Sequence, residues 1–210
     1  MTKSVYSIVL SDDVVAAIDK MAYSLGTNRS GLINQILAEK VSYITPEQRV
    51  KHIIDMVLDN INDSLTFQSL SNSTNLMLKS AVKYKYNPTV KYAVTLTPNR
   101  EILGELRVTL RTQNSALLEE LDKFLHRWTE WEKKYISDKL PHTVKYSIRE
   151  GRFDRELAMA KSIKTDDDAA AAVWDYINIF DAALKQYFHS GGKNDEKTYA
   201  ETVKKCRHVI

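Results

Sequence analysis

The chain has 210 residues, 43% of them hydrophobic and 27% charged, which is globular composition and room for one large domain or a small one plus a larger one. Its net charge of +3 permits an anionic partner without demanding one. No apolar run approaches the roughly 18–20 residues of a bilayer span, the opening residues lack a signal-peptide pattern, and a lone Cys206 excludes an internal disulfide framework and fits a reducing, cytoplasmic setting.

From Lys3 to Leu10 the residues alternate, with Tyr6, Ile8 and Leu10 on one face and Val5, Ser7 and Val9 on the other. The pattern predicts a short strand with its first set in a core and its second set, with Lys3, facing outward. One strand of that length cannot satisfy its own backbone, so the expected partner is the same strand of a second chain. Such a two-stranded antiparallel ribbon fits the DNA major groove. Ser11-Asp12-Asp13 then opens a helix, Leu25-Gly26 closes it, and Asn28 caps a second helix. Val14, Ile18, Met21 and Leu25, then Leu32, Ile33, Ile36 and Val41, supply the apolar faces. The charges of residues 1–44 cancel, four basic against four acidic.

This order resembles the ribbon-helix-helix family of DNA-binding proteins (Arc, MetJ and CopG type) over residues 3–42. The resemblance is carried by the strand ending in Leu10-Ser11-Asp12, the Leu25-Gly26 stop, and Arg29-Ser30-Gly31-Leu32-Ile33 at the start of the second helix. It implies a dimeric DNA-binding domain over 1–44. Base contacts would fall on Lys3, Val5, Ser7 and Val9, and phosphate contacts on Asn28, Arg29 and Ser30. Val5 and Val9 depart from the long polar side chains usual in such ribbons and can touch only thymine methyl groups.

The remainder, 45–210, is expected to be an α+β domain that serves assembly, a signal or a protein partner, with a possible subdivision near 138. Thr45-Pro46-Glu47-Gln48 opens a helix whose apolar positions run from Val50 to Ile61. The polar stretch Ser69–Asn75 is predicted to be a loop. Three strands of an antiparallel meander follow, with Leu76, Leu78, Val82, Tyr84 and Tyr86, then Val90, Tyr92, Val94 and Leu96, then Leu106, Val108 and Leu110 facing inward. The opposite face carries Lys79, Lys83, Lys85, Lys91, Arg107 and Arg111. It is either a solvated, edge-protected surface or a second anionic contact. A long helix over 115–135, with Trp128 and Trp131 as core anchors, is expected to pack on the meander. A fourth strand is expected near Thr143–Tyr146 and a weak helix over 152–162. Thr165-Asp166-Asp167-Asp168 opens a further helix that stops at Gly191-Gly192, and a short basic helix follows.

Catalytic and metal signatures are missing from the sequence. It has no glycine-rich phosphate loop, nucleophile elbow or His-Glu-x-x-His. The five histidines are scattered, and Cys206 with His208 lacks further ligands. The expectation is a non-enzymatic, cofactor-free, homodimeric regulator of double-stranded DNA in the cytoplasm, with repression by promoter occupancy the default mechanism. A plasmid partition or relaxosome accessory protein is one alternative, and an antitoxin-like adaptor that binds a protein is another.

Overall fold

The computed structural model describes residues 5, 7–61, 65–72, 74–82, 88–99, 101–192, 196–206 and 209–210. The chain forms two compact units, residues 1–45 and 46–210. In the first, α1 spans Asp12–Ser24 and α2 spans Arg29–Lys40. Asp12 and Asp13 lie in the first turn of α1, where the helix dipole favours negative charge. Gly26, at φ +63°, ends that helix, with Thr27 N–H donating to the Ala22 carbonyl at 2.9 Å and Gly26 N–H to Tyr23 at 3.2 Å. The same arrangement ends α2, where Tyr43 N–H reaches the Ala38 carbonyl at 2.8 Å, but the left-handed residue there is Ser42, at φ +54°.

The opening strand expected from the sequence does not form over its described residues. Residues 7–10 carry no strand, and three helices precede a six-stranded antiparallel sheet, so the chain is α+β without a ribbon-helix-helix start. The physical reason lies in the backbone: every described strand begins at Thr66 or later, in the second unit, and residues 7–10 have no ladder to join. The expected division of faces is lost with it. Val5 and Val9 are fully exposed, but Ile8 and Leu10, expected inside, are also open at 57% and 37%. Tyr6 and Lys3 lie outside the described residues.

The second unit begins with α3, Pro46–Asp59, which buries Val50, Ile53, Ile54 and Val57. The sheet follows: β1 Thr66–Asn72, β2 Asn75–Ala81, β3 Thr89–Leu96 and β4 Ile102–Leu110, then, after helix α4 (Ser115–Tyr135), β5 Tyr146–Arg149 and β6 Arg152–Ala158. The strand order is β1-β2-β3-β4-β6-β5, antiparallel throughout. The unit closes with α5, Asp166–His189, and α6, Glu196–Lys205. Thr165 and Asp168 cap α5 reciprocally, and Arg49 of α3 pairs with Asp166 in its first turn at 2.5 Å.

The alternation in β2, β3 and β4 matches the sequence reading residue by residue, with Leu76, Leu78, Val82, Val90, Tyr92, Val94, Leu96, Leu106, Val108 and Leu110 all buried. Tyr84 and Tyr86 fall outside the described residues. Two segments differ. The Ser/Asn-rich stretch expected as a loop contributes to a β-hairpin, β1 with β2, and 152–158 is a strand rather than a weak helix. Gly104 sits at a bulge where β4 meets β6, and a Cβ there would lie 2.0 Å from the Thr95 carbonyl oxygen, so only glycine fits.

The apolar sheet face is covered through one aromatic hub. Phe180 of α5, fully buried, meets Tyr92 of β3, Phe124 and Trp128 of α4 and Phe153 of β6 at ring-centroid distances of 4.9–6.1 Å. Tyr92 donates its hydroxyl hydrogen bond to Asp181 at 2.8 Å, and Lys185 bridges the other carboxylate oxygen at 2.7 Å. Beside the hub lies an ion pair with no solvent exposure: Arg155 of β6 donates to both Glu132 oxygens at 3.0 and 3.1 Å. Its guanidinium also donates to the carbonyls of Glu156 and Ile210 and lies 4.2 Å over the Tyr176 ring.

Two outcomes follow from this packing. Arg155→Met or Glu132→Leu alone should lower unfolding free energy by about 3–5 kcal/mol, because each strands a buried charge, while the double variant should lose distinctly less; urea denaturation of the four proteins checks the cycle. Ser42→Gly should stabilise the first unit by about 1 kcal/mol by removing a left-handed L-residue. Native-state hydrogen exchange of the α2 amides would show slower opening if the strain is as stated.

Candidate nucleic-acid interface

The residues proposed for base contact are Lys3, Val5, Ser7 and Val9. Lys3 is outside the described residues, and the other three are exposed. At the start of α2, the Asn28 side chain is occupied as the cap, accepting from Gly31 N–H at 2.8 Å. Arg29 turns back onto α1, where its Nε donates to Asp19 at 2.7 Å and a second nitrogen to the other carboxylate oxygen at 2.5 Å. That hydrogen bond holds the Asp19 carboxyl below its ordinary pKa. The positive charge expected at the phosphate position is therefore compensated within the unit. Ser30 is exposed, and the next two N–H groups of that turn are already taken, Gly31 by the Asn28 side chain and Leu32 by the Asn28 carbonyl.

The first unit also wears its hydrophobic residues outside. Among its described apolar side chains it buries only Ala22, Leu32 and Ala38, while Val14, Met21, Leu25, Ile36, Leu37 and Val41 are all exposed. Among the described residues, Phe67 is the one large exposed hydrophobic that does not belong to this unit. So many exposed apolar side chains on two short helices point to an interaction surface.

In the second unit the helices cover one sheet face, and the register assembles the other. Lys79 of β2 stands directly opposite Lys91 of β3, Lys91 opposite Thr109 of β4, Thr109 opposite Arg152 of β6, and Arg152 opposite Arg149 of β5. Four cations thus occupy one row across five strands, with exposed Arg111 just past the end of β4. The next row is neutralised. Asp154 accepts from Arg107 and from Arg152, each at 2.7 Å, and Arg107 also reaches Glu105 at 3.2 Å. Burial raises the Asp154 pKa, but the two guanidiniums outweigh it and hold the carboxyl below its ordinary value. A third row brings Glu105 opposite Glu156, which is contacted by His142. Arg107, Arg149, Arg152, Asp154 and Glu156, with Tyr146, line an open depression of about 550 Å³ at the β4–β6–β5 end of this face.

The predicted second anionic surface is thus brought together in part. Lys79 and Lys91 share the row, Arg111 flanks it, Arg107 is spoken for by carboxylates, and Lys83 and Lys85 lie outside the described residues. Arg149 and Arg152 join the row unforeseen: the fourth strand expected near Thr143–Tyr146 runs over Tyr146–Arg149, and the segment it pairs with, β6, was expected as a weak helix. Among the described residues, no group of three or more His, Cys, Asp or Glu is placed to hold a metal ion, and no helix is long and apolar enough to cross a membrane. Comparison of the chain with protein-family models, curated proteins and solved structures finds no match.

Asp154→Asn should release Arg107 and Arg152 while destabilising the fold by about 1–2 kcal/mol at neutral pH. The sign with pH follows from the depressed carboxyl: its contribution is present above the unfolded aspartate value near 3.9 and disappears as pH falls through the lower folded value. Thermal unfolding from pH 7 to 2 should show the variant converging on the wild type at the acid end.

Proposed function

We propose that the chain is a homodimeric, non-enzymatic regulator that binds double-stranded DNA, with transcriptional repression by operator occupancy as its action. The observation that carries the reading is the apolar exterior of the first unit. Side chains such as Leu25, Ile36, Leu37 and Val41 are not used by its own two helices, and burying each would contribute about 1.5–3 kcal/mol. A second copy is the favoured occupant, because the four basic and four acidic residues of 1–44 leave no net repulsion between two such surfaces. A dimer also presents two copies of the α2 N-terminus and of the cationic sheet row, and two linked sites raise avidity for a long polyanion. The same apolar surface supports a second reading, an antitoxin-like adaptor that takes up a protein partner.

Sedimentation equilibrium should give a dimer, and Leu37→Glu should weaken it at least a hundredfold by placing charge in the buried surface. Selection of bound fragments from genomic DNA should enrich a repeated or palindromic motif for the wild type and not for that variant. A monomer that selects no DNA would overturn the proposal.

A further inference from the structure

The row across the open sheet face is electrostatically frustrated. Lys79 and Lys91 are a directly opposed cross-strand pair of like charge, and Arg152 and Arg149 are another, at the far end of the same row. Like charges placed opposite one another in a sheet destabilise it. Asp154 compensates Arg152 alone within the row. Lys79, Lys91, Arg111 and Arg149 form no ion pair among the described residues. Edge protection does not account for this, since Lys91 is on an interior strand, flanked by β2 and β4, and gains nothing from warding off edge pairing.

We infer that this row is a grip for the phosphate backbone of a DNA duplex, one that does not read sequence; the inference rests on the DNA-binding reading above. Adjacent strands lie about 4.8 Å apart, so the row from β2 to β5 runs about 19 Å across the sheet. That length accompanies about five to six phosphates of one strand at about 3.4 Å of duplex axis per charge. The shape selects the ligand. The cationic band is one residue wide, and the rows behind it, with Asp154, Glu105 and Glu156, would repel a broad anionic surface such as a membrane but leave a single line of phosphates unopposed. By register no aromatic side chain stands on the described open face of β2 to β6, and of the aromatics Tyr146 alone borders the depression there, so a run of unpaired bases lacks successive stacking platforms. The side chains that remain are those that position a duplex through its backbone.

The test compares the full-length wild type with Lys91→Gln/Arg149→Gln and with a control of equal charge, Lys133→Gln/Lys161→Gln, on α4 and after β6. Without DNA, the row variant should melt about 1–4 °C higher than the control, as frustration is removed. Binding to a random-sequence 20-base-pair duplex is followed by fluorescence anisotropy over a salt series. The row variant should bind at least tenfold more weakly, and its salt slope should fall by about 2, with the control near wild type. A wild type that binds the duplex while the row variant keeps its affinity and slope would overturn the grip and leave the DNA reading standing. A wild type that binds no duplex at any salt would overturn both. Equal or tighter binding to a single strand of the same phosphate number, or to phosphatidylserine vesicles, with the loss transferred to that ligand in the row variant, would overturn the duplex assignment.

Discussion

The second unit is organised around a charge that water never reaches. Arg155 sits on the helix-facing side of β6, between Phe153 and Leu157, where alternation calls for an apolar residue. Its guanidinium cannot be deprotonated to escape burial, so the surroundings must supply partners for its donors. Glu132 of α4, the carbonyls of Glu156 and Ile210, and the face of Tyr176 on α5 do so. One residue thereby fixes a strand, two helices and the segment after α6 with respect to each other. The Phe180 hub packs apolar surface, which tolerates small shifts, whereas a buried, hydrogen-bonded ion pair does not.

The sheet divides the labour of the unit between its faces. Inward positions carry the core and the Arg155 pair. Outward positions carry charge arranged by register into a cationic row, a compensated Arg107–Asp154 row and an acidic row. Since strands at a given register differ only in which residue meets which, a row of one sign running across five strands needs every strand to contribute in phase. At Gly104 the register of β4 against β6 shifts by one residue, beyond the regular run from Gly104–Leu157 to Thr109–Arg152 that aligns the rows, and the lack of a Cβ there lets Thr95 approach.

The first unit poses the opposite problem. Its two helices are correctly started and stopped by local chemistry, with the Asn28 cap and the Gly26 and Ser42 closures, yet they enclose only three buried apolar side chains. Local signals define helices well and say nothing about what covers them. The Arg29–Asp19 pair shows the same limit. Position alone put Arg29 at a phosphate, but a carboxylate ten residues earlier, one helix away, takes its donors.

Period and punctuation were enough to place α1 to α5, to assign the inner faces of β2, β3 and β4, and to locate the cations Lys79, Lys91 and Arg111, because each of those signals is carried by residues close along the chain. Three features were settled only by tertiary structure. The Lys3–Leu10 alternation looked like a strand, but its described residues 7–10 join no ladder, and a strand exists only when its backbone is paired. The strand β6 looked helical because Arg152, Asp154, Arg155 and Glu156 hide its period, the inward Arg155 being tolerable only once Glu132 is brought to it from 23 residues away. The β1–β2 hairpin looked like a loop because its polar residues carry no apolar face of their own. The cationic row has the same origin: Arg149 and Arg152 stand in line with Lys79 and Lys91 through hydrogen-bond register between strands about sixty residues apart, and register is a property of the folded sheet.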